Sequence, residues 1–267
     1  VISEGPDWGD ARCPGPPDKH FSPHGIDLKR RADGRLSLFA VNHGREAIEI
    51  FEIDPESYGA MWRGCVPMPE GTNLNDVTAL PDGGFATTHA FPHSQGLAQL
   101  WYLAKATLGG NTGWVYVWHP GGALKKLANS DSPFPNGITA SPDGSTLFVD
   151  IYMANEVRRY ATASGKLTGS AHIEHADNVS WSDHDTLLVA SHIAGLSRMN
   201  SCGRVEKGAC SARFQIVELD PKTLATRVVV DREGAPMGAA TVAIPLGDYL
   251  YLGSYKSDRM LRIPRKR

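Results

Sequence analysis

Short runs of alternating apolar and polar residues, broken by turns, fill most of the chain. Residues 46–53 set Ile48, Ile50 and Ile53 against Glu49 and Glu52, apart from Phe51, which is the pattern of a half-buried antiparallel strand. With residues 36–42 they predict a hairpin. A strand is expected at 114–118, and strand pairs at 147–151 with 156–160, 186–190 with 195–199, 213–219 with 225–230 and 249–254 with 259–263. Residues 54–73 open on Asp54-Pro55 and read as a connection. Residues 1–22, rich in Pro, Gly and Asp, read as irregular chain with at most one unpartnered strand. One segment breaks the pattern: 95–108 places Leu97, Leu100, Trp101, Ala104 and Leu108 on one helical face, and Gly109-Gly110 stops it. That helix either packs over one face of the strands or forms a lid or membrane-facing surface.

A polar pair followed by a β-branched residue recurs at the head of a strand. It stands as Pro23-His24-Gly25-Ile26, Leu74-Asn75-Asp76-Val77, Pro135-Asn136-Gly137-Ile138, Ala176-Asp177-Asn178-Val179 and, weakly, Ala239-Ala240-Thr241-Val242. A turn and a second apolar strand follow, as in Pro142-Asp143-Gly144 before Leu147-Phe148-Val149. A repeat of roughly 40–60 residues built from short strands is the signature of propeller blades. The first strand of each blade lines a propeller's axis, so the repeat heads should face one channel. Asn, Asp and His are poor strand formers, yet they occupy four of the five heads. A ring of Asn and Asp oxygens is a calcium site by donor chemistry. The plainer reading is that these are turn residues bonding their own backbone. We expect an all-β chain forming a single domain over 1–267, with about five blades and one helix near 95–108 over one face.

Composition narrows the partners. The 267 residues are 41% hydrophobic and 21% charged, with a net charge of −2, so no nucleic-acid partner is implied. The basic end, 262–267, reads as a solvated tail. No apolar run approaches the roughly 20 residues that span a bilayer. The first residues lack the basic and apolar regions of a signal peptide and an initiator Met, so processing or truncation is considered. Cys202 and Cys210 flank a short excursion that a disulfide could staple, and Cys13 and Cys65 lie in loop-like sequence where they could pair. Either bridge points to an oxidising, secreted or periplasmic compartment. No Gly-x-Ser-x-Gly elbow, phosphate-binding fingerprint, Cys-x-x-Cys or His-Glu-x-x-His is present.

An ordered set of motifs resembles the paraoxonase/arylesterase family, which is related to gluconolactonase-type propellers. The set comprises Phe21-Ser22-Pro23-His24-Gly25-Ile26, Val41-Asn42-His43, Asn73-Leu74-Asn75-Asp76, Asn136-Gly137-Ile138 running on to Gly144, Ala176-Asp177-Asn178-Val179, Ser191-His192 and Leu252-Gly253-Ser254. The resemblance implies a six-bladed propeller holding two calcium ions. It implies a catalytic calcium on Asn75, Asn136, Asp177 and Asn178, and a structural calcium on Asp76 and the backbone carbonyl of Ile26. His24 matches a general base and His43 its partner, with His24 otherwise only shaping the pocket. His89 and His192 match substrate-pocket positions or are ordinary hydrogen-bonded loop histidines. His93, His119, His172, His175 and His184 read as structural or exposed.

The chain departs from that family in one respect. The adjacent Glu-Asp pair that serves both ions there lies upstream of the His24 motif, and Glu4 fits neither its context nor its spacing. The sequence therefore reads as a member lacking its first blade, with one carboxylate fewer at each ion. The expected activity is calcium-dependent hydrolysis of lactones and aryl esters. The alternative is a non-catalytic propeller that binds a small molecule or protein. The helix at 95–108 is the candidate for contact with a lipid surface.

Overall fold

A computed structural model describes residues 8–31 and 33–265; Glu4 and the last two tail residues lie outside them. The described residues form five antiparallel sheets, each built from strands consecutive in the chain. The first is β1 (Pro23–Arg30), β2 (Leu36–Asn42), β3 (Ala47–Ile53) and β4 (Ala60–Pro67). The second is β5 (Leu74–Ala79), β6 (Phe85–His89), β7 (Trp114–Trp118) and the short β8 (Lys125–Lys126). The third is β9 (Pro135–Ala140), β10 (Thr146–Ile151), β11 (Glu156–Ala161) and β12 (Lys166–His172). The fourth is β13 (Ala176–Trp181), β14 (Leu187–His192), β15 (Phe214–Leu219) and β16 (Thr226–Arg232). The fifth has three strands, β17 (Ala240–Leu246), β18 (Tyr249–Ser254) and β19 (Leu261–Pro264). This is a five-bladed propeller chain; a sixth blade is absent among the described residues.

The chain divides into two compact units, Val1–Phe148 with Tyr160–Leu167, and Val149–Arg159 with Thr168–Arg267. The first is centred on Phe39, Ile48, Ile50, Leu74, Phe85 and Trp118, all at most 2% exposed. The second is centred on Ala190, Phe214, Ile216, Ala240 and Leu252, all fully buried. Every repeat head opens the first strand of a sheet. In four sheets the head is also a β-bulge: the register of β1, β5, β13 and β17 slips between Pro23 and Ile26, Leu74 and Val77, Ala176 and Val179, and Ala240 and Val242. A bulge re-aims side chains that strict alternation would send to opposite faces. That is the local reason why a polar pair can be accommodated where β-propensity disfavours it.

Several expectations need correction. Residues 195–199 are not the partner of 186–190. They enter a helix, α2 (Leu196–Cys202), and β14 pairs with β15 instead. Met199 and Cys202 are three apart, the spacing of one helical face, and Cys202 is bonded to Cys210. Residues 54–73 contain β4, whose Trp62, Cys65 and Val66 are buried. Gly64 interrupts its pattern because the chain at Trp8 lies against it: a Cβ there would meet the Trp8 carbonyl. Trp8 and Asp10 donate to the carbonyls of Arg63 and Cys65, so the irregular N-terminal chain is partnered along the outer edge of β4. Glu49 was expected on a solvent face of β3 but is fully buried. The helix α1 (Gly96–Thr107) forms as expected, but its apolar stripe faces solvent: Leu97 is 85% exposed and Trp101 65%, and of the helix only Ala106 is buried.

Both disulfides are present, Cys13–Cys65 with Cα atoms 5.3 Å apart and Cys202–Cys210 at 5.0 Å. Cys65 sits in β4 rather than in a loop. The first bridge spans 52 residues, and closing a loop of that size restricts the unfolded chain by about 4 kcal/mol. Cys13→Ser combined with Cys65→Ser is therefore expected to lower unfolding free energy by roughly 2–4 kcal/mol in denaturant titrations, more than the pair Cys202→Ser and Cys210→Ser.

Candidate active site

The first unit's site grows from the tight turn between β2 and β3. Asn42 Oδ1 accepts the backbone N–H groups of Ser22 (3.1 Å) and Gly44 (2.9 Å), which shapes the turn. Its Nδ2 donates to the buried Glu49, which also accepts from Arg45 in a two-pronged pair at 2.7 Å and from Trp62 Nε1 at 3.0 Å. A buried carboxylate is costly unless its lone pairs are filled, and here four N–H donors fill them. This network fixes the loop that carries His43 and Glu46. Glu46 adopts φ 43°, an unusual conformation for a residue with a side chain.

His43 Nε2 lies 2.9 Å from His24 Nδ1, and His43 Nδ1 lies 2.7 Å from Glu46 Oε1. The two expected histidines are thus brought together, and a carboxylate that the sequence did not signal extends the line. Burial of the ring by its surroundings lowers the pKa of His24, the neighbouring His43 lowers it further, and Glu46 opposes the shift. His24 therefore stays neutral at pH 7, with an edge still open to solvent.

The repeat heads of the same unit meet at their backbones. A Cβ on Gly25 would collide with Asp76 Oδ1 and with the Asn75 carbonyl, so only glycine lets β1 run this close to β5. Thr88 Oγ1 accepts the Asp76 N–H at 3.0 Å and donates to the Asn136 carbonyl, tying β5 to β9. Asp76 accepts the N–H groups of Val77 (2.9 Å) and Ile138 (3.0 Å). With protein groups alone around it, desolvation pushes its carboxyl up to about 7, and Asp27 adds a smaller push in the same direction. Asn136 is 5% exposed, and its Oδ1 has no hydrogen-bond partner among the described residues. Asn75 makes no side-chain hydrogen bond among the described residues, and Ile26 follows the β1 bulge with its side chain outward.

A buried amide oxygen is orphaned and a buried carboxylate lacks a counter-charge, although each could be satisfied by a hard cation. Among the described residues no three His, Cys, Asp or Glu side chains cluster as a metal centre. The donors gathered here are amide, carboxylate and backbone oxygens, which suits calcium rather than zinc.

In the second unit, Asn178 Nδ2 donates to Asp177 Oδ1 (3.1 Å) and to the Thr241 carbonyl (2.9 Å), leaving the Asn178 oxygen outside these bonds. Asp177 Oδ2 is 3.4 Å from His192 Nε2, and His192 Nδ1 is 3.1 Å from the Tyr152 hydroxyl. Burial pushes His192 down to about 4, so it is neutral. The Tyr255 ring centroid is 6.4 Å from that of His192. Burial likewise pushes His89, in the first unit, down to about 4; its Nδ1 accepts the Asn73 N–H at 3.0 Å while its ring packs on Trp114. Sequence reasoning missed Glu46 and Tyr152. Glu46 lies three residues from His43, so proximity was its one available signal; Tyr152 had none.

The first unit thus holds a pair of imidazoles, His24 and His43, and a repeat head with an orphaned amide oxygen on Asn136. The arylesterase family profile matches residues 11–257, and the chain belongs to that family. It is similar to human serum paraoxonase/arylesterase 1, at 26% identity over 144 residues, which are 52% of this chain and 39% of that protein. The matched stretch is thus well under half the length of that relative. Among solved structures it resembles a gluconolactonase from Xanthomonas campestris, 19% identical, covering 90% of this chain and 71% of that one with a TM-score of 0.52. It also resembles a protein of unknown function from Bacteroides caccae, 14% identical, covering 93% and 80% with a TM-score of 0.55. These structural likenesses establish the fold.

Proposed function

We propose that this chain hydrolyses lactones and aryl esters with calcium as its metal. The observation that carries the proposal is the orphaned Asn136 oxygen beside the buried Asp76 carboxyl, within the unit that holds the His24–His43 pair. Asn75, Asp76, Asn136 and the Ile26 carbonyl would supply oxygens. Asp177 and Asn178, at the equivalent head in the second unit, carry the same donor chemistry. Bound calcium would polarise the ester carbonyl and stabilise the oxyanion. The protein's own groups do the rest. His24, neutral at pH 7, accepts a proton from the attacking water, and His43 orients it through their 2.9 Å contact. Family membership supports an ester substrate, and the exposed apolar stripe of α1 supports contact with an apolar surface.

The test is a pH-stat assay of an aliphatic lactone and an aryl ester on calcium-loaded and chelated protein. Calcium-dependent proton release is expected. Equal rates in both samples would reject the mechanism, and no hydrolysis in either would favour a binding role.

A further inference from the structure

We propose that Glu46 is the positioning residue of a Glu–His–His relay, its carboxylate fixing the tautomer of His43 and, through it, the nitrogen on which His24 carries its lone pair. The inference rests on the reading of His24 as the base. An ionised carboxylate only accepts, so the 2.7 Å contact from Glu46 Oε1 places a proton on His43 Nδ1. A neutral imidazole has one donor and one acceptor, so His43 Nε2 is then an acceptor. The 2.9 Å contact requires His24 Nδ1 to donate to it, and the lone pair of His24 must lie on Nε2.

The carboxylate is held independently of the histidine it serves. Glu46 Oε2 accepts the Leu74 N–H at 3.2 Å, and the Glu46 backbone carbonyl accepts the Met68 N–H at 3.0 Å. Its left-handed backbone lies in the turn braced by Asn42 and Glu49. A residue strained in this way, with its carboxylate aimed at a histidine, is what a positioning role requires. The groups that face the carboxylate are His43, the Leu74 N–H and, at longer range, His24 and His89.

The relay balances. Water loses a proton to His24 Nε2 as its oxygen bonds to the ester carbonyl carbon. The Nδ1 proton of His24 can pass to His43 Nε2, and the resulting imidazolium faces Glu46. The proton returns to the departing alkoxide when the carbon–oxygen ester bond breaks. The logic is that of a Ser-His-Asp triad, with a second imidazole interposed.

The test uses long-range nitrogen–proton NMR on the intact 15N-labelled chain, together with lactone kinetics. His43 is expected as the Nδ1–H tautomer in the wild type and in Glu46→Gln, whose amide oxygen still accepts, and to lose that preference in Glu46→Ala. Glu46→Ala is expected to lower kcat about 100-fold with KM little changed, less than the roughly 10⁴-fold loss seen when an orienting carboxylate next to the base is altered. Glu46→Gln should lose less. In a His43→Gln background, Glu46→Ala should cost nothing more. A wild-type His43 in the Nε2–H tautomer, or losses that multiply in the double variant, would overturn the inference. Full activity in His24→Gln would instead overturn the dyad itself, while the His43 tautomer would still report on Glu46.

Discussion

Replacing His24 with glutamine is expected to lower kcat for lactone hydrolysis by about 10²–10⁴-fold, the range that a positioned general base contributes. Glutamine keeps the side chain's size and polarity but cannot take up a proton at neutral pH. His24 is solvent-exposed in β1 and its one side-chain hydrogen bond among the described residues is to His43, so the thermal midpoint should hardly move. The pH dependence has a definite sign. His24 works as the free base, and its surroundings lower its pKa below the ordinary 6.5. The acidic limb of the wild-type rate profile should therefore fall below pH 6.5. A His24→Gln variant with undiminished turnover, measured by initial rates, would remove the base from the mechanism.

Asn136→Ala is expected to act differently on the calcium-free and the calcium-loaded protein. Asn136 Oδ1 is buried with no partner, and such a group costs about 1–3 kcal/mol wherever nothing satisfies it. Removing it from the calcium-free protein should therefore destabilise little or not at all. The calcium-loaded protein should behave differently, because an oxygen ligand is lost. Altering a group one shell beyond a metal costs 10–100-fold in affinity or activity, so loss of a ligand should cost more than about 100-fold. Differential scanning calorimetry with and without calcium separates the two states. A variant destabilised equally in both would show that Asn136 serves packing alone.

The parts of this protein that were legible in its sequence are those where local chemistry and tertiary role coincide. The β2–β3 hairpin was visible because its apolar positions alternate, and the five heads because polar pairs recur where strands should begin. Bulges stand at four of those heads, in β1, β5, β13 and β17, although no sequence rule marks a bulge in advance. The count of blades present was visible for the same reason. β4 was hidden because prolines at its margins and Gly64 within it look like loop, whereas the glycine answers to the close approach of Trp8. α2 reads as a strand in the sequence because a few residues cannot distinguish the two periods. Glu49 reads as solvent-facing because alternation says nothing about a carboxylate enclosed by donors from Arg45, Asn42 and Trp62. His24 and His43 were named from motif position, yet the direction of their hydrogen bonds emerged from Glu46, through a turn whose left-handed backbone no pattern predicts.

The most direct test of the account is a calorimetric titration of calcium into the chelated chain, run in parallel on the wild type and Asn136→Ala. The account predicts saturable binding to the wild type with a raised thermal midpoint, and affinity weakened by more than about 100-fold in the variant. Heat and midpoint unchanged by calcium in the wild type, or identical binding by both proteins, would contradict it.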